Sequence, residues 1–390
     1  MSIEIKYLIY IGGVLMKLGF IVNPIAGMGG KVGLKGTDGP EILEKARELG
    51  AVPESPGKAK DALKSLLPLK GELEILTYSG DMGENEAREV GFEPTVIGEM
   101  GEELDPSNTE EAAVKMLEEN VDLILFAGGD GTARNIHNAV GMDVPVIGVP
   151  AGVKIHSGVY ANYPKAAGDV ALHYFQSEDK KTKEAEVMDI DEEAFRDGVV
   201  SAKLFGYVKI PQEEELVQST KSVAPASEDD GLIGIANTVI EEMEDDTFYI
   251  ISSGTTTRPI MEELGLPNTL LGTDIIKNKE LVANDVSEKQ ILEIIGDEKA
   301  RIVVTVIGGQ GFIFGRGNQQ ISGRVIKKVG KDNIIVIATE RKLDQLKTGP
   351  FTSKPLLVYT DDKELNASLE GRMKVLVSYN RRTTKKVKGL

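Results

Sequence analysis

The chain has no cysteine and no tryptophan, and among its 390 residues there are three histidines, His137, His156 and His173. Without cysteine there is no disulfide, no thiol nucleophile and no thiolate zinc site. Three scattered histidines make a multi-histidine metal centre a poor expectation. No apolar run reaches the roughly 18–20 residues of a membrane span. Residues 7–15 are apolar but short, and they lack the basic lead and small-residue cleavage pattern of a secretory signal. Positive charge is also in deficit, with Lys+Arg 45 against Asp+Glu 62 and a net charge of −17. That balance argues against a nucleic-acid backbone as partner and against an anionic membrane surface. A small phosphorylated ligand stays compatible, because a few main-chain N–H groups hold a phosphate inside an acidic protein. The missing cysteine fits a reducing compartment, so a cytoplasmic protein is the expectation.

What is present is an ordinary globular mix, 41% hydrophobic and 27% charged, in a chain long enough for two domains. Glycine stands at 43 residues, about 11% against the usual ~7%, and the glycines cluster. From residue 18 to about 150, short apolar runs alternate with helical spacings. Strands are expected at 18–22, 74–78, 95–97, 123–127 and 144–149. Helices are expected at 40–49, 59–67, 109–119 and 133–140, the third capped by Asn108 or Thr109. This alternation means βαβ units around a parallel sheet, hence an α/β fold with a Rossmann-like three-layer N-terminal domain over residues 16–178. Residues 1–15 read as an extension. The charged stretch 177–186 reads as a linker. Residues 179–390 read as a second, mixed α/β domain rich in strands that closes a cleft, with an acidic unpatterned segment at 212–230 and a solvated basic tail at 381–388. The sequence leaves self-association into a homo-oligomer open.

Three glycine-rich turns follow strands, where ligands of parallel sheets bind. The sharpest is Gly128-Gly129-Asp130-Gly131-Thr132, between a buried-type strand and a helix. Its glycines leave room for a ligand, the helix N-terminus offers unpaired N–H groups and partial positive charge, and Asp130 is the carboxylate at its tip. In phosphoryl transfer such a carboxylate orients or deprotonates an attacking hydroxyl or holds a magnesium ion. The plain alternative is a tight turn whose Asp caps the helix. Asn23-Pro24-Ile25-Ala26-Gly27-Met28-Gly29-Gly30 follows the first strand. It is neither a Walker loop nor a dinucleotide fingerprint, but successive glycine N–H groups can form an anion nest, extended by Lys35. The third turn, residues 148–158, carries Lys154 and Ser157 toward the same crevice, and His156 reads there as a packed or surface histidine. Thr255, Thr256, Arg258 and Arg316 follow later strands as a polar rim.

Together these segments resemble the NAD kinase and diacylglycerol kinase superfamily. Asn23–Gly27 looks like its N-P-x-[AS]-G segment and Gly128–Thr132 is its G-G-D-G-T motif. Further blocks at 33–39, 148–158, 253–260 and 307–322 look like the ATP-NAD kinase subfamily of the acetoin-catabolism protein X type. The resemblance covers nearly the whole chain. It implies phosphorylation of the adenosine 2′-hydroxyl of NAD, with ATP or polyphosphate as donor and Mg²⁺ present. It places Asp130 on the acceptor hydroxyl. Asn23, Gly27, Gly29, Gly30, Lys35, Gly128, Gly129, Gly131, Thr132, Asn135, Lys154, Ser157, Thr255 and Thr256 become the candidate nucleotide- and phosphate-binding set. Asn135 stands where lipid kinases of the superfamily carry a Glu, which points away from a lipid. The residues themselves leave two alternatives open, a kinase for another hydroxyl acceptor (lipid, polyol or nucleotide-like metabolite) and a nucleotide-binding regulator without turnover.

Overall fold

The computed structural model describes residues 16–34, 40–100, 106–153, 155–190, 202–213, 216–217, 229–269, 271–349 and 352–390. The expected extension at 1–15 and the candidates Lys35 and Lys154 lie outside these residues.

The N-terminal lobe is built on five parallel strands, β1 (Met16–Val22), β2 (Leu73–Tyr78), β3 (Thr95–Gly98), β4 (Leu123–Gly128) and β5 (Val146–Pro150), in the order β3-β2-β1-β4-β5. Helices α1 (Pro40–Glu48), α2 (Ser55–Leu63), α3 (Glu84–Val90), α4 (Pro106–Glu118), α5 (Asp130–Val140) and α6 (Pro164–Gln176) alternate with them. The chain winds one way from β1 to β3 and the other way from β4 to β5. With right-handed crossovers, that reversal sends the helices to opposite faces. Accordingly α2 packs on α6, and α4 packs on α5. Strand β4 is buried at every position, as expected for a strand covered on both faces.

Three helix starts differ from the sequence expectation, α2 beginning at Ser55 rather than Ala59. Helix α4 begins at Pro106, ahead of both expected caps, Asn108 and Thr109, because proline fits the first turn of a helix where no N–H is needed. Helix α5 begins at Asp130 rather than Ala133, so Asp130, Gly131 and Thr132 form its first turn and Gly129 is its N-cap.

Strands β6 (Thr182–Ile190) and β7 (Ala202–Pro211) form an antiparallel pair. The expected linker at 177–186 is thus partly strand: its charges alternate with Ala185 and Val187, which join Val208, Ile210 and Val217 in the core of the first lobe. The division at 178 therefore falls ahead of a hairpin that packs on the N-terminal lobe. Of the acidic stretch 212–230, residues 214–215 and 218–228 lie outside the described residues. Its end starts helix α7 (Asp229–Glu241), whose Ile235, Ala236 and Val239 cover the second sheet.

The C-terminal lobe carries β8 (Phe248–Ile251), α8 (Arg258–Glu263), β9 (Asp274–Lys277), β10 (Glu280–Ala283), α9 (Glu288–Ile295), β11 (Ala300–Thr305), β12 (Phe312–Phe314), α10 (Gly323–Val329), β13 (Ile334–Ile337), α11 (Glu340–Asp344), β14 (Leu356–Val358), α12 (Lys363–Leu369), β15 (Gly371–Ser378) and β16 (Arg381–Gly389). They make one mixed sheet in the order β10-β9-β8-β11-β13-β15-β16-β14-β12. Its two faces are both buried: along β11, Ile302 and Val304 enter one core and Val303 the other. The mixed α/β character expected from the sequence is present. The expected basic tail is not a tail. It is β16, antiparallel to β15 and parallel to β14 inside the sheet. Most of its Lys and Arg side chains point to solvent while Val387 is buried, so charge and strand pairing coexist. Among the described residues no helix is long and apolar enough to cross a membrane.

Candidate active site

Strands β1 and β4 are neighbours at the point where strand order reverses, and each runs into a glycine-rich turn. Asn23 closes β1. Its N–H donates to the Ala127 carbonyl at 3.0 Å, and its Oδ1 accepts from the Ile25 N–H at 3.3 Å. Its Nδ2 donates to Thr132 Oγ1 at 3.1 Å, tying the first turn to the start of α5. Gly27 adopts φ 78°, and a Cβ there would lie 1.9 Å from the Ala151 carbonyl oxygen. Only glycine allows that approach, so the first turn lies directly on the third. At Gly128 a Cβ would meet the Thr132 side chain at 2.3 Å. The three turns singled out from the sequence therefore converge. Within the first, Gly30 donates to the Gly27 carbonyl and Leu34 to that of Gly29, so part of the expected amide nest is spent inside the loop.

Asp130 neither caps its own helix nor stands open. It is 5% exposed. Its Oδ2 accepts from the His156 N–H at 2.7 Å and lies 2.9 Å from His156 Nδ1. Its Oδ1 accepts from the Ser157 N–H at 3.1 Å and lies 2.7 Å from Ser157 Oγ. Ser157 Oγ in turn accepts from the Met188 N–H at 3.0 Å, which joins hairpin β6–β7 to the site. Asp130 thus holds two main-chain N–H groups, and the single Ser157 hydroxyl hydrogen has two acceptors in reach, Asp130 Oδ1 and the Met188 carbonyl at 2.8 Å. Beneath it, the buried Tyr160 hydroxyl donates to the Gly129 carbonyl. Burial first, then the nearby Asp130 and Asp189 charges, push the Tyr160 phenol well above its usual range, so it stays a donor. Asn135 is buried one turn further along α5.

The C-terminal lobe reaches this cluster through residues 315–319. Gln319 Nε2 donates to the Val153 carbonyl at 2.7 Å. Arg316, 8% exposed, donates through Nη2 to the carbonyls of Asn162 at 2.8 Å and Ala161 at 3.3 Å, and its guanidinium lies 5.1 Å from the Phe312 ring centre. Its Nη1 is buried without a hydrogen-bond partner. Burial lowers Arg316 to about 10, partly offset by Tyr359 and Asp130. Ser253 Oγ donates to the Gly317 carbonyl at 2.8 Å, which brings the 253–257 turn to the same seam. Of the two threonines singled out there, Thr256 is fully buried with its Oγ1 unpartnered and Thr255 is exposed. Arg258 instead pairs with Glu262 on the surface of α8. Lys31 spans the seam, 2.7 Å from Glu54 and 2.8 Å from Asp361. Those carboxylates outweigh its desolvation and hold its ammonium above the ordinary range.

A cavity of about 40 Å³ lies on this seam, lined by Lys31, Glu54, Gly315, Gln319, Tyr359 and Asp361 among others. No group of three or more His, Asp or Glu side chains is placed to hold a metal ion among the described residues. A magnesium ion carried on donor phosphates needs only one or two carboxylates, and Asp130 already holds two main-chain N–H groups. Among the described residues no such group is formed, and no step is assigned to a metal ion.

No local pattern joins His156 to Asp130, 26 residues earlier, or seats Arg316 on the first lobe. A His-Ser pair on a glycine-flanked turn at a strand end was the available signal for the first. Compared with known families, residues 18–179 match the ATP-NAD kinase N-terminal domain and residues 244–387 match the ATP-NAD kinase C-terminal domain. A search of curated proteins finds no match.

Proposed function

Because the chain belongs to the ATP-NAD kinase family, we propose that it transfers the terminal phosphoryl group of ATP, or of polyphosphate, to the 2′-hydroxyl of the adenosine ribose of NAD, giving NADP. The observation that carries this reading is the Asn23–Thr132 hydrogen bond. It fastens the N-P-x-A-G turn to the G-G-D-G-T turn at the switch point of a parallel sheet, the usual ligand crevice of such folds.

Phosphoryl transfer asks little covalent chemistry of the protein and much positioning and charge. The first N–H groups of α5 have no partner within the helix and face incoming anionic oxygens. Arg316 supplies a desolvated cation close to Asp130. Gly27, Gly29 and Gly30 keep side chains out of the path, and Asn23, Asn135, Ser157, Thr255 and Thr256 supply polar contacts along the seam. Ligand pockets occupy roughly 300–1,000 Å³, far more than the cavity present, so on this reading NAD enters with the lobes parted and the seam closes over it.

The test is an assay for NADP in purified protein given NAD or NADH, Mg²⁺, and either ATP or polyphosphate. NADP formation supports the reading. Acceptor-dependent ADP release without NADP assigns another hydroxyl acceptor, and nucleotide binding without any transfer removes the enzymatic reading altogether.

A further inference from the structure

The first glycine turn is shared between the lobes. Its first half is fastened to the N-terminal lobe, Asn23 on Thr132 and Gly27 on Ala151. Its second half lies on the C-terminal lobe. A Cβ on Gly30 would meet the Gln319 Cβ at 3.4 Å, and one on Gly33 would lie 3.7 Å from the Ser287 nitrogen. Between these two glycines, Lys31 crosses the seam twice. Its carbonyl accepts from the Glu288 N–H at 3.1 Å, and its ammonium lies 2.8 Å from Asp361, whose side chain is 58% exposed. The same ammonium lies 2.7 Å from Glu54, the N-cap of α2 in its own lobe, and Glu54 also pairs with Lys58 at 3.1 Å. Burial works against the Lys31 ammonium, and the Asp361 and Glu54 carboxylates outweigh it, so it stays charged. The cavity of about 40 Å³ that these groups line is far too small for a nucleotide.

Resting on the reading above that NAD enters with the lobes parted, we propose that Lys31 is the latch of the seam. When the lobes part, its ammonium lets go of Asp361 and stays on Glu54, and residues 30–33 leave the C-terminal lobe with it. The two carboxylates differ in a way that makes this latch reversible. Glu54 moves with Lys31, so opening never leaves a half-buried charge without a partner, which would be costly. Asp361 is open to water, which takes over its solvation. An ion pair so exposed favours the closed seam by only about two- to fivefold, enough to bias it and little enough for substrate to overcome. Arg316 and Gln319 reach the first lobe on main-chain carbonyls, whereas the Lys31–Asp361 pair is one that dissolved salt screens.

The experiment measures the separation of the lobes. The chain has no cysteine, so Glu93→Cys and Lys289→Cys, exposed positions on the N-terminal and C-terminal lobes, carry spin labels without competition. In this background Lys31→Met and Asp361→Asn, matched in circular dichroism to the labelled parent, are each expected to raise the ratio of longer to shorter separations about two- to fivefold. Glu54→Gln should not raise it, because Glu54 holds Lys31 only within its own lobe. Salt at about 0.5 M should bring the same shift in the parent and none in Asp361→Asn. Association of NAD, followed by stopped flow, should quicken by the same factor in Asp361→Asn, since the open state is populated more often. Separations unchanged in both variants, or raised as much by Glu54→Gln, overturn the latch. Equal NAD association in a variant whose separations do shift overturns its part in substrate entry. If NAD does not bind the wild type, the substrate reading falls, and the separations, which need no ligand, still decide the latch.

Discussion

Arg316 of the C-terminal lobe donates to the Asn162 carbonyl of the N-terminal lobe at 2.8 Å, and its other terminal nitrogen is buried without a partner. No carboxylate lies within ion-pair distance of this buried guanidinium among the described residues. Burying a charge without an opposite one is costly, and apolar replacement of such groups is often neutral or stabilising. Arg316→Met is therefore expected to unfold at the same temperature as wild type or higher, yet to turn over at least about tenfold more slowly for want of the seam cation. The pH dependence has a definite sign. Burial lowers the folded-state value to about 10, well below the ordinary guanidinium range, so above pH 10 the folded chain binds fewer protons than the unfolded chain and stability gains with rising pH. Denaturant titrations from pH 9 to 11 should show that contribution in wild type and lack it in Arg316→Met.

The link between the first and second turns is a single side-chain hydrogen bond, Asn23 Nδ2 to Thr132 Oγ1. Removing either partner, as Asn23→Ala or Thr132→Val, is expected to cost about 1 kcal/mol. The double variant should cost clearly less than the sum, because both remove the same bond. Urea titrations of the four proteins read this directly, and strict additivity would deny the coupling.

Glu86 in α3 is 4% exposed and its Oε2 has no hydrogen-bond partner. Burial lifts its carboxyl to about 7 from 4.5. The folded chain then holds a proton that the unfolded chain has released, so the contribution of this group to stability falls as pH rises from 4.5 through 7. Glu86→Gln, neutral at every pH, should match wild type in thermal unfolding at pH 4.5 and unfold several degrees higher at pH 8. A variant that is equal or lower at pH 8 contradicts the assignment.

Strand β16 pairs with both β15 and β14. A chain ending at residue 380 would open two strand edges in the middle of a sheet, and exposed edges recruit other chains. Such a variant is expected to be insoluble or aggregated by size-exclusion chromatography. A soluble, monodisperse product would return residues 381–390 to the role of a dispensable tail.

That strand also shows where sequence reasoning stops. The β4 run of apolar residues and its glycine stop are local signals, so the strand–turn–helix around Asp130 was legible residue by residue. In β16 the Arg-Arg and Lys-Lys pairs report only that charge meets water, and the pairing partners lie elsewhere in the chain. Helix α7 escaped for a related reason: its apolar stripe of Ile235, Ala236 and Val239 follows an acidic stretch and is explained only by the sheet beneath it. At the site, the glycine turns and Ser157 were legible because their composition is local. The engagement of Asp130 by His156 was not, because the return of the chain along β5 sets it, and no spacing rule encodes that. Lys35 and Lys154, expected as phosphate contacts, lie outside the described residues.

Phosphoryl transfer at the Asp130 seam is tested most directly by following the label. Wild type and Asp130→Asn, purified alike and matched in circular dichroism, are given NAD, Mg²⁺ and ATP labelled in the terminal phosphate, and label in NADP is counted. Labelled NADP from wild type and about 10²–10⁴-fold less from Asp130→Asn is the expected result. Equal transfer by both proteins, or none by wild type, would contradict it.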